Sequence, residues 1–372
     1  MNMVKLGDIA TYVNGYAFKP DDRGDYGLPI IRIQDLTGNT YDLGFYDGDY
    51  PKKIEINNGD ILISWSASLG VYEWKRGKAL LNQHIFKVVF DKEVDVSKKY
   101  FVYAVKYKLE ELSRKSHGAT MKHVIKKDFD NTKIPFPSFV RQKEIAERLE
   151  KTSKIISGRK KQLQKLDELN QARFVEMFGD PVENTMFWEK KRLEDIVKDD
   201  CSISYGIVQT GDDQEQGVPV FRPIDIVNHV PSIKELKKTT EKISDKYKKT
   251  VLKGRELLIT VRANIADTCI VGAEFKGCNV GRGIVPIRTR EEMVLLEFLK
   301  YLFDNKHFND QIKSKAKGIT LIQLNMEDLR QTEIVIPPIE QQRKFVQFVN
   351  QVNKSKLVIK NLLQIYKHQI QM

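Results

Sequence analysis

Residues 116–146, SHGATMKHVIKKDFDNTKIPFPSFVRQKEIA, and residues 316–346, AKGITLIQLNMEDLRQTEIVIPPIEQQRKFV, align without a gap at a constant offset of 200. Gly118 falls on Gly318, Thr120 on Thr320, Asp128 on Asp328, Thr132 on Thr332, Ile134 on Ile334, Pro137 on Pro337 and Gln142 on Gln342. Upstream the echo continues with small insertions: VKLGDIA (Val4 to Ala10) against KRLEDIV (Lys191 to Val197), LPIIRIQDL (Leu28 to Leu36) against VPVFRPIDI (Val218 to Ile226), and GDILIS against GRELLIT. Solenoid units run to roughly 20–50 residues, so a repeat of this period marks a duplicated domain. Whatever the fold is, it is built twice, and 372 residues let each copy bury its own core.

Each copy opens with a short amphipathic element, LGDIA or LEDIV, followed by a loop rich in Gly and Asp, Asn14 to Gly27 or Tyr205 to Gly217. Residues of that kind specify turns and leave side chains exposed. A strand is predicted through Ile30, Ile31 and Ile33 in one copy and Val218, Val220 and Phe221 in the other. After a Gly turn, Asp60 to Ser64 and Glu256 to Thr260 read as buried strands. Shorter strands are predicted at Ile85 to Phe90 and Gly283 to Ile287. Apolar residues at 3.6 spacing then predict helices over Tyr100 to Leu112 and Leu295 to Ile312. Pro135, Pro137, Pro337 and Pro338 close each unit, because proline cannot donate to a strand ladder and suits a first helical turn.

Beyond each proline cluster comes a long helix. The first begins with Ser138 as N-cap and carries Ile145, Leu149, Thr152, Ile156, Arg159, Leu163, Leu166 and Asn170 at heptad core positions. At the same offset stand Phe345, Val349, Val352, Lys356, Ile359, Leu363, Tyr366 and Ile370. The polar members fall in different places, a pattern better suited to the two helices pairing with each other than to either pairing with itself. Segment order makes that pair antiparallel. A helix of about 40 residues spans roughly 60 Å, which predicts two globular units held apart as a dumbbell. Gly158 marks an expected bend. The predicted boundaries are 1–137, 138–178, 179–337 and 338–372, and the fold class is α+β: two globular α/β domains separated by paired antiparallel helices, with a pseudo-two-fold internal repeat.

The chain is basic, with 62 Lys and Arg against 50 Asp and Glu and a net charge of +12, which favours a polyanionic partner. Catalytic signatures are missing. GVYEWKRGKAL (Gly70 to Leu80) has the wrong spacing for a phosphate-binding loop and no Ser or Thr after Lys78, and no Asn-Pro-Pro-Tyr stretch of an amino-methyltransferase occurs. GCNVGRGI reads as an ordinary turn and not as a dinucleotide fingerprint. The six histidines and the cysteines Cys201, Cys269 and Cys278 have no metal-ligand spacing, and an odd set of thiols points to a reduced compartment. The opening MNMVKLGDIA has no apolar h-region, and the expected location is cytoplasmic. Two similar domains with conserved scaffolds and divergent loops suit the reading of two separated half-sites on one duplex.

Taken together, KLGDIA, PIIRIQDL, GDILIS, HGATMKHV with KGITLIQL, and IPFPSFVRQKEIAERL to MFGDP with IPPIEQQRKFV resemble the specificity subunit of type I restriction-modification systems, over essentially the whole chain. The resemblance implies a non-catalytic subunit whose two target recognition domains each read one half of an interrupted DNA sequence. It implies long helices that set the spacing and dock two methyltransferase subunits. S-adenosylmethionine would then belong to the methyltransferase partner, and ATP and Mg to the restriction and translocase subunits, with no cofactor on this chain.

Side-chain chemistry ranks the DNA-binding candidates, since Arg and Lys suit guanine, Asn and Gln suit adenine, and Lys, Arg, Ser, Thr and Tyr suit phosphates. In the first domain these are Tyr16, Lys19, Arg32, Gln34, Trp65, Gln83, His84, Lys115, His117, Thr120 and Lys122. In the second they are Tyr205, Gln209, Arg222, Arg262, Asn264, Arg282, Lys315, Lys317, Thr320 and Gln323. A solvated charge or a turn-stabilising polar group is the competing account of each, and for Trp65 a core role. Phe174, Val175, Phe178, Phe348 and Leu362, apolar residues beyond the pairing seam, are the partner-contact candidates, with packing inside the helical pair as the alternative. Two other functions fit the same sequence: the recognition subunit of a combined restriction-methylation enzyme, and a two-headed protein-binding adaptor.

Overall fold

The computed structural model describes residues 2–39, 42–66, 68–115, 126–226, 231–318 and 322–371, with backbone alone for 110–115 and 369–371. The chain forms two units, Met1–Ser157 with Tyr366–Met372, and Gly158–Ile365. The side chain of Lys115 and all of His117, Thr120, Lys122 and Thr320 lie outside the described residues.

In the first unit the strand Ile61–Ser64 is buried along its length. Successive side chains of a strand point to opposite faces. Ile61 and Ile63 accordingly join a core with Leu6, Tyr12, Phe86, Phe101 and Phe129, while Leu62 joins a second core with Ile31, Ile56, Trp74 and Leu80. The run of β-branched and aliphatic residues is therefore continuous because both of its faces are covered. Its sheet runs in the order Thr11–Asn14, Ile85–Val89, Ile61–Ser64, Gly70–Glu73, all antiparallel. A second sheet orders Phe45–Tyr46, Leu28–Ile31, Ala79–Leu81 and Glu55–Ile56, with Ile30 and Ile31 parallel to Leu80 and Leu81.

The second unit repeats the plan. Glu256–Thr260 is buried throughout, with Leu257 and Ile259 in one core and Leu258 in another. It pairs antiparallel with Thr268–Val271 and Ile284–Ile287. Val218–Phe221 lies between Lys237–Thr239 and, in parallel, Asn279–Val280. In both units the first strand closes on the last: Val4 faces Ile134 in the pairing of Met3–Lys5 with Lys133–Pro135, and Lys191 faces Ile334 in Glu189–Arg192 with Glu333–Ile336. This pairing delivers the chain to the proline cluster and the long helix.

Two local expectations are corrected. Ile33 is not in the strand, which ends at Ile31; it opens the helix Ile33–Thr37, whose Arg32 backbone N–H is capped by the Asp35 carboxylate at 2.8 Å. The helix predicted over Leu295 to Ile312 is two helices, Leu296–Asp304 and Lys306–Ser314. Asn305 between them accepts a hydrogen bond from the Phe308 N–H at 3.2 Å, so its side chain ends one helix and caps the next. The helix Phe139–Phe178 runs on through Gly158 without a break.

Among the described side chains, which do not include that of Ile370, the heptad positions are covered. Along the first helix Ile145, Leu149, Thr152, Ile156, Arg159, Leu163 and Leu166 are half-buried and Asn170 is buried. Along the C-terminal helix Ile339–Gln371, Phe345, Val349, Val352, Ile359 and Leu363 are buried. Within the second unit Phe174 meets Phe345 with ring centroids 5.5 Å apart, and Lys356 pairs with Asp167, so the two helices run antiparallel. Asn170 donates from Nδ2 to the Tyr301 hydroxyl at 3.0 Å, so the amide of this polar seam position finds its partner in the domain.

Candidate DNA-reading surfaces

In each unit one tight turn gathers three other segments. In the first unit it is Asn82–His84. The Asn82 N–H donates to the Ile31 carbonyl at 3.0 Å, the Gln83 N–H to the Tyr16 carbonyl at 2.9 Å, and the Trp65 N–H to the His84 carbonyl at 3.2 Å. In the second it is Gly281–Gly283, with Gly281 N–H donating to Phe221 at 2.8 Å and Val261 N–H to Gly283 at 2.8 Å, beside Ile207, whose N–H donates to Val280 at 2.8 Å. Tyr16 bridges Asn82 and Ile207 bridges Gly281, both in parallel. Gln83 and Arg282 thus hold equivalent places on the two turns, both exposed.

Two glycines that the sequence reading passed over make this possible. A Cβ on Gly15 would overlap the Asn82 carbonyl oxygen, and one on Gly206 the Val280 carbonyl oxygen. The signal was present, as Gly within Asn14-Gly15-Tyr16 and Tyr205-Gly206-Ile207, but the strand that approaches each lies far away in sequence. At the turn itself His84 takes a φ of 69°, a left-handed conformation, whereas Gly283 in the other copy does not, and a Cβ on it would overlap the Pro223 ring.

The candidates divide on this frame. In the first unit Tyr16 is 45 % exposed, Gln83 is exposed and His84 is half-buried. Trp65 lies flat on Phe86, centroids 5.6 Å apart, meets the His84 ring edge-on at 4.9 Å and donates its Nε1–H to Asn14 Oδ1 at 3.3 Å. One face of that indole belongs to the core. Arg32 follows Ile31 into the same region, but its guanidinium is held by Asp35 and the Asp42 carbonyl, and its side chain is only 15 % exposed. Lys19 beside the turn Pro20–Asp22 and Gln34 in Ile33–Thr37 flank the frame without a described hydrogen bond to it.

In the second unit Tyr205 and Gln209 are exposed on either side of Ile207. Arg222 is bound through two nitrogens to Asp225, at 3.1 and 3.0 Å, and this hydrogen bonding raises its pKa further. Arg262 and Asn264 sit on the loop after Glu256–Thr260, and Arg262 bridges Gln323, which in turn bridges Lys317. Lys315 caps the C-terminus of Lys306–Ser314. The Gly318 between Lys317 and the next segment has φ 129°, open only to glycine.

Of the partner-contact candidates, Phe174 and Phe178 are corrected to core residues. They are 0 % and 1 % exposed, packed with Phe298 and Phe345 because the covered face of the helix continues from Asn170 at four-residue steps. Val175 is 44 % exposed; Phe348, under the Arg173 guanidinium, and Leu362 are half-buried. Among the described residues no group of His, Cys, Asp and Glu is placed to hold a metal, and no helix is long and apolar enough to cross a membrane.

Residues 1–168 and 187–365, one stretch for each copy of the repeat, match the type I restriction modification DNA specificity domain. The chain belongs to that family. Specificity subunits are similar to it along most of their length: that of the type I restriction enzyme EcoBI from Escherichia coli is 24 % identical over 376 residues, covering 94 % of this chain and 78 % of the relative. That of MjaVIII from Methanocaldococcus jannaschii is 24 % identical over 398 residues, covering 97 % and 91 %. The fold resembles the crystal structure of an S subunit from M. genitalium, with a TM-score of 0.55 at 13 % identity over 100 % of this chain and 94 % of that one. It also resembles a chain solved in work on complex assembly and conformational transition of the type I R-M system, with a TM-score of 0.57 at 17 % identity and the same coverage. As a type I specificity subunit the chain supplies DNA sequence specificity and is not catalytic by itself.

Proposed function

We propose that each unit reads one half of an interrupted duplex target through the surface gathered on its turn, Asn82–His84 in the first and Gly281–Gly283 in the second. The observation that carries this reading is that one hydrogen-bonded frame is built twice with different side chains on it: Gln83 and His84 in one copy, Arg282 and Gly283 in the other. A common frame fixes how each unit approaches the groove, and the differing side chains fix which bases it accepts. Among the other candidates, Lys19, Lys115, His117, Thr120, Lys122, Lys315, Lys317 and Thr320 supply phosphate contacts.

The paired helices set the gap between half-sites and dock two methyltransferase subunits, with Val175, Phe348 and Leu362 as contact residues that the core leaves accessible. S-adenosylmethionine then acts on the methyltransferase, and ATP and Mg on the restriction and translocase subunits, all in the cytoplasm. Exchanging residues 1–137 for the matching domain of another specificity subunit, in a complex with its methyltransferase, is expected to change one half of the methylated sequence. A change in both halves, or in neither, counts against the modular reading.

A further inference from the structure

The loop after Glu256–Thr260 is strained and rigid at once. Ala263 and Ala266 have φ of 59° and 64°, left-handed values that an L side chain adopts only where its surroundings enforce them. Here they do. Ala266 N–H donates to the Thr260 carbonyl at 2.8 Å, Asp267 N–H to the Thr260 hydroxyl at 2.9 Å, and Asn309 Nδ2 to the Ala266 carbonyl at 3.0 Å. Val261, Ile265 and Ala266 are buried at the base, leaving Ala263 and Asn264 exposed and Arg262 half-buried at the tip.

Arg262 is oriented from outside its own loop. Its Nη2 donates to Gln323 Oε1, and the two main chains bridge each other antiparallel. Among the described residues no carboxylate pairs with Arg262, whereas Arg222 nearby is bound to Asp225 and Arg32 in the other unit to Asp35. Among the described residues one of the five guanidinium N–H groups is engaged, with Gln323, which fixes the plane and leaves four. A planar fork with two free parallel donors matches guanine O6 and N7 in the major groove. In the first unit the position equivalent to Arg262 is Ser66, which is buried, so this reader exists in one copy only.

We propose that Arg262 reads a guanine in the half-site of the second unit and that Gln323 is its positioning residue. The inference rests on the half-site reading above and adds to it a base and a residue. The test is to map methylated bases in a host genome that expresses the complete methyltransferase complex with wild-type chain, Arg262→Ala, Gln323→Leu or Gln323→Glu. Wild type is expected to give a two-part motif with a G·C pair in one half. Arg262→Ala is expected to relax that single pair by about 10- to 100-fold in preference and leave the other half intact. Gln323→Leu should loosen the same pair by less, and Gln323→Glu, whose carboxylate still accepts from Nη2, should keep it.

An unchanged motif in Arg262→Ala overturns the proposal while leaving the half-site reading in place. So does uniform loss of methylation from an assembled complex, since that marks a phosphate contact, which weakens binding on every sequence. A wild-type complex that yields no two-part motif overturns the half-site reading itself, and the proposal with it.

Discussion

Gln142 and Gln342 show the duplication at the level of single atoms. Gln142 Oε1 accepts from Ser97 N–H at 2.9 Å while its Nε2 donates to the carbonyls of Asp95 at 3.2 Å and Pro137 at 3.0 Å. Gln342 repeats this with Leu295 N–H at 2.9 Å, Met293 at 2.9 Å and Pro337 at 2.8 Å. Both side chains are 0 % exposed, so each clamps the first turn of a long helix to its domain. Gln342→Leu strands buried backbone groups and is expected to lower the unfolding free energy by about 2–4 kcal/mol, read from urea unfolding. A loss under about 0.5 kcal/mol contradicts the clamp. The matched glutamines were visible in the sequence, but their role was not, because the partners other than Pro137 and Pro337 stand 45 to 49 positions upstream.

The thiols belong to this scale too. Burial pushes Cys269 up to about 12 and Cys278 to about 11, so neither carries appreciable thiolate at neutral pH. Both should resist a thiol reagent until the protein unfolds; fast labelling of the native chain contradicts their placement. A raised thiol pKa contributes stability that is complete below the unfolded value near 9 and is lost as pH rises towards 11–12.

At the scale of elements, the strands and helices that carry the cores were legible, and the joints between them were not. Within Ile61–Ser64 and Glu256–Thr260, residues 61–63 and 257–259 are unbroken apolar runs because both faces are covered. The split at Asn305 was hidden because Leu296–Asp304 and Lys306–Ser314 are both amphipathic, and their apolar spacing carries across the cap. Asn305→Ala is expected to cost about 1 kcal/mol through the lost cap, measured by thermal or urea unfolding. Phe174 and Phe178 were misread for a related reason. A heptad template ends its seam at Asn170, whereas a helix of 3.6 residues per turn carries the covered stripe on to both phenylalanines. Phe345, which meets both rings, is the stronger probe: Phe345→Ala should destabilise by about 3–5 kcal/mol.

For the whole molecule, the excess of basic residues requires that DNA affinity of the assembled complex fall steeply with salt, log K declining linearly with log salt as counterions are displaced. The candidate surfaces were partly legible at this scale: Gln83, Arg282, Arg262 and Gln323 were chosen for their chemistry, and the fold brings them to the two turns or beside them. The frame that unites them was not legible, since its hydrogen bonds join segments as distant as Tyr16 and Gln83 or Phe221 and Gly281. A heptad inserted in Phe139–Phe178 is expected to change the gap between half-sites and not the half-sites themselves. The most direct measurement is the set of bases methylated across a methylation-free genome when this chain is co-expressed with its methyltransferase subunit. The account predicts a two-part motif with a fixed unspecified gap; a single uninterrupted motif, or no new methylation from an assembled complex supplied with S-adenosylmethionine, contradicts it.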